Sequence, residues 1–301
     1  MLKIVIKSPR LFRKLMRYRR LRPWFPFDLS RLHAIDDEAT FVFALQATRL
    51  PNGTCKTTNS SRFLSLDDSI CKHASELSQP VKIHDVAASD GITSVNLSDA
   101  MDRESVSHEI WFSDKFSNLY TRRSGLSRVV YDQEGTLVYA EMFGLLASPY
   151  LPSRFWLSRI LGRLYSRKFE RSSNETEILL LNPLARTRIA EKRMRFFYYD
   201  LFESEDCNGP YQVIRCMNAL NPAIFDESML IDALTKLVKN LDDKGVMIIG
   251  RTNPDSGENH ATIFRLGNSV FEVVERIGEG SEIESLVLQI DHRSSTITTV
   301  D

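Results

Sequence analysis

Short apolar runs alternate with amphipathic stretches from residue 81 onward, and this alternation predicts strands separated by helices. The runs VKIHDV at 81–86 and HEIWFSD at 108–114 are bounded by polar residues, as strands are, and ITSVNLSDAMD between them predicts a helix. Further predicted strands are EILLLNP, MRFFYYDLF, YQVIRCMNAL and KGVMIIGRT. The segment at 227–241 has apolar residues at helical spacing, so it predicts a helix between the last two of these strands.

Other segments predict strands that have no helices between them. The segment SRVVYDQEGTLVYAEMFG predicts a hairpin with its turn at 133–135, and HATIFRL and VFEVVERI predict two strands joined by Gly267-Asn268. We expect EIESLVLQI, near the C-terminus, to be one more strand. The whole pattern predicts a Rossmann-like α/β fold: a mostly parallel sheet with helices on both faces and an antiparallel C-terminal edge. Ligands of such sheets bind at the carboxyl ends of the strands.

The first third of the chain predicts helices instead of strands. Two helices are expected at about 39–50 and 66–78, each stopped by a proline, which cannot continue a helix. We therefore expect a basic N-terminal arm with a helical cap at 1–77, followed by one α/β domain at 78–301. The hairpin and a further helix form an expected insertion at about 126–171, which we expect to cover the site and select the substrate.

Two predicted helices, at about 8–21 and 153–169, are basic and amphipathic. Residues 1–32 contain ten Lys or Arg and a single acid, Asp28. Three interpretations of the first helix stay open: an arm packed on the domain, a helix on an anionic membrane surface, or an RNA contact. Because there are two such helices, we expect a cytoplasmic protein that attaches peripherally to the inner membrane leaflet or to an acidic protein partner.

Composition narrows the classes of function. Basic and acidic residues balance at 39 each, so no overall field favours nucleic acid, and we do not expect nucleic acid as a partner. Of the four cysteines, none forms a CxxC pair or has a histidine at metal-finger spacing, which predicts reduced thiols and no metal site.

The stretch HDVAASDG, at 84–91, is the first candidate for binding chemistry. Asp85 lies near the end of the first strand, Gly91 precedes the helix, and small residues lie between them. Such a turn lets a ligand approach the backbone and directs helix-start N–H groups at it, although neither GxGxxG nor GK[ST] is present. Asp114 ends the next strand, where an acid accepts hydrogen bonds from ribose hydroxyls.

The order of these segments resembles that of a class I S-adenosylmethionine-dependent methyltransferase, over residues 78 to about 275. DVAASDG stands where the family has an acid followed by alternating glycines, and Asp114 matches the ribose-binding acid. FFYYDLF matches the segment whose Asp lies near adenine. The block from YQVIRCMNAL to KGVMIIGRT is similar to strand four, helix and strand five of the chemotaxis-receptor methyltransferases. The family's first two glycines are Ala87 and Ser89 here, which would be strained at a positive φ.

The resemblance implies S-adenosylmethionine as cofactor, bound by Asp85, Ala87, Ser89, Gly91, Asp114, Asp200 and Leu201. For several of these residues a structural role stays open beside the binding role. Asp85 either lies by the methionine portion or caps the turn, Asp114 is otherwise a loop cap, and Asp200 is otherwise a solvated strand end. His84 is expected to pack within the first strand.

The resemblance also places the methyl acceptor after the fourth strand. The candidate catalytic residues are Asn218 and Asn221, whose amides position an acceptor or form a turn, and Arg251, which holds an anionic substrate. Two hypotheses follow: a methyltransferase acting on a small-molecule, lipid-linked or glycan acceptor, or a catalytically inactive binding or regulatory module with the same fold. Cofactor binding separates them.

Overall fold

A computed structural model describes residues 3–18, 20, 26–46, 60–124, 126–142, 145–147, 169, 174–204, 208–268 and 270–290. The strands are β1 Lys3–Ile4, β2 Val81–Val86, β3 His108–Ser113, β4 Asn118–Ser124, β5 Ser127–Asp132, β6 Leu137–Met142, β7 Leu145–Ala147, β8 Thr176–Leu179, β9 Met194–Phe197, β10 Tyr211–Met217, β11 Leu241–Thr252, β12 Asn259–Gly267 and β13 Val270–Ile277. The α-helices are α1 Pro9–Met16, α2 Glu38–Gln46, α3 Leu64–Ala74, α4 Ile92–Arg103, α5 Pro183–Ala190, α6 Glu227–Lys239 and α7 Glu284–Gln289, and Leu29–Ala34 is a 3-10 helix.

The chain divides into two compact units, each made of two segments. The antiparallel-sheet unit comprises residues 1–59 and 116–186, and the parallel-sheet unit comprises residues 60–115 and 187–301. Helix α3, which the sequence assigned to the N-terminal cap, belongs to the parallel-sheet unit. The domain boundary at 77/78 and the role of the insertion at 126–171 stay predictions.

The parallel-sheet unit is built on seven strands in the order β13-β12-β11-β10-β2-β3-β9. The five strands from β11 to β9 are parallel, while β12 and β13 are antiparallel to their neighbours. Helix α4 connects β2 to β3, and α6 connects β10 to β11. This order confirms the predicted Rossmann-like sheet with its antiparallel C-terminal edge. The strand order reverses between β2 and β10, where sheets of this kind form a ligand crevice.

Helices cover both faces of this sheet. Glu275 and Arg276 are consecutive residues of β13, so their side chains point to opposite faces. Glu275 contacts Ser69 and His73 of α3, whereas Arg276 contacts Glu284 of α7. Helix α6 adds a fully apolar side, with Leu230, Ala233, Leu234, Leu237 and Val238 in the core. Burying each of the large side chains contributes about 1.5–3 kcal/mol.

The predicted strand at 282–290 is wrong, because this segment contains helix α7. Ile283, Leu286, Val287 and Ile290 pack against one core, and their spacing of three, four and seven residues is that of a helix face. Helix α5 and strand β4 were not predicted at all.

The antiparallel-sheet unit has six strands in the order β1-β7-β6-β5-β4-β8. Strands β5 and β6 form the predicted hairpin. Helix α1 begins after Ser8, whose hydroxyl accepts a hydrogen bond from the Leu11 amide, and its Phe12 and Met16 are buried in the core. The N-terminal helix is therefore packed on its own unit by its apolar side.

The second predicted basic helix, at 153–169, lies outside the described residues except for Phe169. Among the helices that the structure describes, none has the length and apolar character needed to cross a membrane.

Candidate functional site

The turn between β2 and α4 has a left-handed backbone at every second residue. The φ angles are 56° at Ala87, 61° at Ser89 and 82° at Gly91. These are the positions at which the resembled family has glycines. For a residue with a side chain this conformation costs about 1–2 kcal/mol, so the turn keeps its shape at a local energetic cost.

Asp114, the residue predicted to bind ribose, lies against this turn. Strand β3 runs parallel to β2, with Phe112 paired to Asp85, so both strands end at the same edge of the sheet. The Oδ2 atom of Asp114 accepts a hydrogen bond from the Ser89 amide at 2.9 Å. The structure thus brings the predicted ribose acid and the predicted turn together.

Asp85 is held by a buried arginine that the sequence analysis missed. Arg215 of β10 is paired with Asp85 across the sheet, and it donates Nε to Oδ1 at 2.8 Å and Nη2 to Oδ2 at 2.5 Å. The Nη1 atom of Arg215 donates to Oδ1 of Asp67 in α3 at 2.5 Å. Ser94 of α4 also donates to Asp85 Oδ2, at 2.5 Å. Both carboxylate oxygens of Asp85 therefore have partners within the protein, which favours its structural role over contact with a ligand.

The group of Asp67, Arg215 and Asp85 contains two carboxyl groups for one guanidinium, all inside the protein. Arg215 is 0% exposed and Asp85 is 2% exposed. Burial raises the pKa of Asp67 to about 7, because Arg215 offsets this effect only in part and Asp85 adds to it. Within the described residues, Oδ2 of Asp67 has no hydrogen-bond partner. Burial would lower the pKa of Arg215, but the two carboxylates raise it above its usual range.

Asp67 is expected to make the stability of the protein fall as the pH rises toward 7. Its pKa is raised from 3.8 to about 7 in the folded protein, so the folded state binds the proton more tightly than the unfolded chain. The stabilisation is complete below pH 4 and is lost up to pH 7, at a slope of up to about 1.4 kcal/mol per pH unit. Denaturant unfolding between pH 4 and 8 should show that Asp67→Asn removes this slope.

The matched control is Asp68→Asn. Asp68 is the next residue along the chain, but its side chain is largely exposed and lies 3.7 Å from Arg103. This substitution should leave the slope in place. An unchanged slope in Asp67→Asn would show that another group titrates.

Ala87→Gly is expected to raise the free energy of unfolding by about 0.5–1 kcal/mol, because glycine adopts a positive φ without strain. Affinity for S-adenosylmethionine, the cofactor that the resemblance implies, should be kept or improved. Ala88→Gly is the matched control, since Ala88 is a buried neighbour outside the positive-φ set, and this change should destabilise the protein. Denaturant titrations compare the two, and equal destabilisation would contradict the strain assigned to Ala87.

His84 packs inside the sheet, as the sequence predicted. Its Nε2 lies 2.8 Å from the Ser113 hydroxyl, and its ring contacts those of Phe197, Tyr199 and Tyr211. Burial lowers the pKa of His84 to about 3, so the ring is neutral.

Asp200 and Leu201 follow the edge strand β9. Asp200 accepts a hydrogen bond from the Phe202 amide and lies 2.6 Å from Nζ of Lys115, the residue after Asp114. Leu201 is buried in the core. Lys115 thus joins Asp200 to the chain segment that carries Asp114, whereas Leu201 packs as an apolar side chain.

The two candidate asparagines have different structural roles after β10: Asn218 joins the end of this strand to the end of β11, whereas Asn221 caps a turn. Asn218 Oδ1 accepts the Thr252 amide at 2.8 Å, and Asn221 Oδ1 accepts the Ala223 amide at 2.9 Å. Asn218 itself is exposed at the carboxyl end of its strand and has a φ of 63°.

Arg251 lines a cleft of about 450 Å³ at the carboxyl end of β11. It donates Nη1 to Glu282 at 2.7 Å. His260, which the sequence analysis did not select, lines the same cleft, and its Nδ1 accepts the Glu279 amide at 3.0 Å. That bond places the proton of the neutral ring on Nε2. A single histidine carries no spacing signal in the sequence.

The fold and this strand-end site define a doubly wound α/β unit with a small-residue turn at its switch point. No protein-family model and no curated protein matches the sequence.

Solved structures with a related arrangement are S-adenosylmethionine-dependent methyltransferases of low identity. One from Clostridium acetobutylicum has 12% identity and a TM-score of 0.34, over 76% of this chain and 78% of that one. A TehB-like methyltransferase from Corynebacterium glutamicum has 10% identity and a TM-score of 0.30, over 61% of each chain. An amino pentose methyltransferase from Micromonospora echinaspora has 9% identity and a TM-score of 0.31, over 67% of this chain and 61% of that one.

The matches therefore span less than two thirds of the Corynebacterium and Micromonospora proteins. At these identities and TM-scores, the likeness carries no argument about the function of this chain.

Proposed function

We propose that this chain is an S-adenosylmethionine-dependent methyltransferase acting on a small-molecule, lipid-linked or glycan acceptor. The observation that supports it most is the Asp114 carboxylate, bound to the Ser89 amide of a left-handed turn at the strand-order reversal. A carboxylate at this point suits the two hydroxyls of a ribose, and the small residues of the turn suit close approach of a cofactor.

The residues present fit such a cofactor in part. Asp114 supplies acceptor oxygens, and the side chains of the turn are small. Asp85, by contrast, is already bound to Arg215 and Ser94, so it acts on the turn instead of on the ligand. When bound, S-adenosylmethionine supplies a methyl group on an activated sulfonium, and the protein mainly has to position the acceptor in line with it.

The acceptor side of the proposed site is the cleft at the end of β11. Asn218 is hydrogen-bonded to Thr252, which lines this cleft, so the ends of β10 and β11 are joined there. Arg251 would release its exposed partner Glu282 and form an ion pair with an acidic group of the acceptor instead. Arg251→Gln should then raise KM for such an acceptor more than it lowers kcat.

Calorimetry with S-adenosylmethionine and S-adenosylhomocysteine tests the proposal. Micromolar binding supports it, and the absence of heat and of any thermal shift at millimolar cofactor rejects it. The second candidate, an inactive module of the same fold, is favoured by the strained Ala87 and Ser89. Binding without transfer of a labelled methyl group to small-molecule, lipid-linked or glycan acceptors would favour that candidate.

A peripheral location at an anionic membrane leaflet forms part of the proposal. The apolar Phe12 and Met16 of α1 are buried, so attachment would depend on the exposed cations Arg10, Lys14 and Arg17. Each contributes about 1 kcal/mol near a charged leaflet, and salt weakens the attraction. Sedimentation with anionic and neutral vesicles at low salt decides: equal binding to both, or none, counts against the membrane. Attachment to an acidic protein partner would then be the alternative to test.

A further inference from the structure

The turn at 87–91 contains two strained residues, so its surroundings must fix its shape. Hydrogen bonds hold the turn against the end of β3: the Ala88 amide donates to the Ser113 carbonyl at 2.9 Å, and the Ser89 amide donates to Asp114. The turn would relax if Ala87 and Ser89 returned to ordinary negative φ angles. A contact that joins the two sides of the turn opposes this relaxation.

Asp85 and Ser94 make such a contact. Asp85 lies two residues before Ala87, Ser94 lies three residues after Gly91, and the Ser94 hydroxyl donates to Asp85 Oδ2 at 2.5 Å. Both side chains are buried, so water does not compete for the bond. The bond therefore ties the last part of β2 to the first turn of α4.

Arg215 fixes the direction of the Asp85 carboxylate. Its planar guanidinium contacts both oxygens, a two-point geometry that a single hydrogen bond lacks. Arg215 is itself held by Asp67 on the far side. The contacts thus run from α3 through β10 to β2, and then across the turn to α4.

We propose that Arg215 and Ser94 are positioning residues, which act through Asp85 to hold the turn at 87–91 in its left-handed form. This arrangement, the Asp85 clamp (Asp67, Arg215, Asp85 and Ser94), replaces the conformational freedom that glycines would supply at 87 and 89. The consequence for cofactor affinity rests on the proposed function, whereas the effect on the turn does not.

Amide hydrogen exchange tests the clamp without any cofactor. Ser94→Ala should speed exchange at Ser89 and Gly91 by about tenfold, because the turn opens more often. Ser98→Ala is the matched control: Ser98 is equally buried in α4, but its hydroxyl contacts His108. It should change these rates by less than about twofold. Equal effects of the two substitutions would overturn the proposal.

A rescue experiment separates positioning from simple packing. Adding Ala87→Gly and Ser89→Gly to Ser94→Ala removes the backbone strain that makes the turn open. Exchange should therefore return to within about threefold of the parent protein. Exchange that stays fast would overturn the proposal. Arg215→Lys keeps the charge but loses the two-point contact, and should speed exchange as Ser94→Ala does; if it fails to fold, the Ser94 variants still decide.

Cofactor affinity gives the second measurement. The Kd for S-adenosylmethionine should rise about tenfold in Ser94→Ala and recover in the glycine-containing variant, while Ser98→Ala stays near the parent value. If the parent protein binds no cofactor, the proposed function fails, and the exchange rates still decide whether the clamp exists.

Discussion

Arg215→Met is expected to lower the free energy of unfolding by about 3–5 kcal/mol, because it leaves two buried carboxyl groups without their cation. The side chain is 0% exposed and contacts Asp85 and Asp67 at 2.5–2.8 Å, so no solvent replaces the lost hydrogen bonds. Denaturant unfolding near pH 8, where Asp67 is largely ionised, should show the largest loss.

Arg193→Met is the matched control for this change. Arg193 also pairs with an aspartate, Asp102, but both side chains are more than 40% exposed. An exposed pair of this kind contributes about 0–1 kcal/mol. A loss in Arg215→Met no larger than that in Arg193→Met would show that the buried network does not stabilise the fold.

Asp114→Ala is expected to weaken binding of S-adenosylmethionine by about 1.5–3 kcal/mol, or roughly 10- to 150-fold. The physical reason is the loss of hydrogen bonds from ribose hydroxyls to a charged acceptor. Calorimetry on the parent and the variant measures it directly. Unchanged affinity would refute the position assigned to the cofactor.

Two further variants separate ligand binding from support of the turn. Asp114→Asn keeps an acceptor for the Ser89 amide but loses the charge, so its affinity should lie between those of the parent and of Asp114→Ala. Asp132→Ala is the matched control, because Asp132 has similar burial and accepts the Thr136 amide in a hairpin. It should leave the affinity unchanged.

The sequence predicted best those elements whose pattern of apolar residues matches the side that they bury in the fold. The β2–α4–β3 and β10–α6–β11 segments combine short apolar runs with amphipathic helices, and both formed as predicted. The segment at 282–290, by contrast, was predicted as one more strand and forms helix α7. Its helical spacing was present in the sequence, and packing of Ile283 and Val287 against the sheet favoured the helix.

In the candidate site, too, some features could be predicted from the sequence and others could not. The position of Asp114 at the same sheet edge as the turn could be predicted, because the carboxyl ends of parallel strands meet at one edge. This depends on chain order alone. The contact between Arg215 and Asp85 could not, since it joins residues 130 positions apart and depends on the pairing of β10 with β2. The positive φ angles of Ala87 and Ser89 were also outside what residue type indicates, as both residues favour negative φ.

The antiparallel-sheet unit has a consequence for synthesis on the ribosome. Its core joins Phe12, Phe27 and Phe41 to Leu119, Val130 and Ile178, so the first segment has no complete partner until about residue 180 has been made. At about 5–20 residues per second, the wait after residue 46 is roughly 7 to 27 seconds. During that interval the three phenylalanines lack these later partners, so part of their apolar surface stays uncovered, and such surface makes a folding intermediate prone to aggregation.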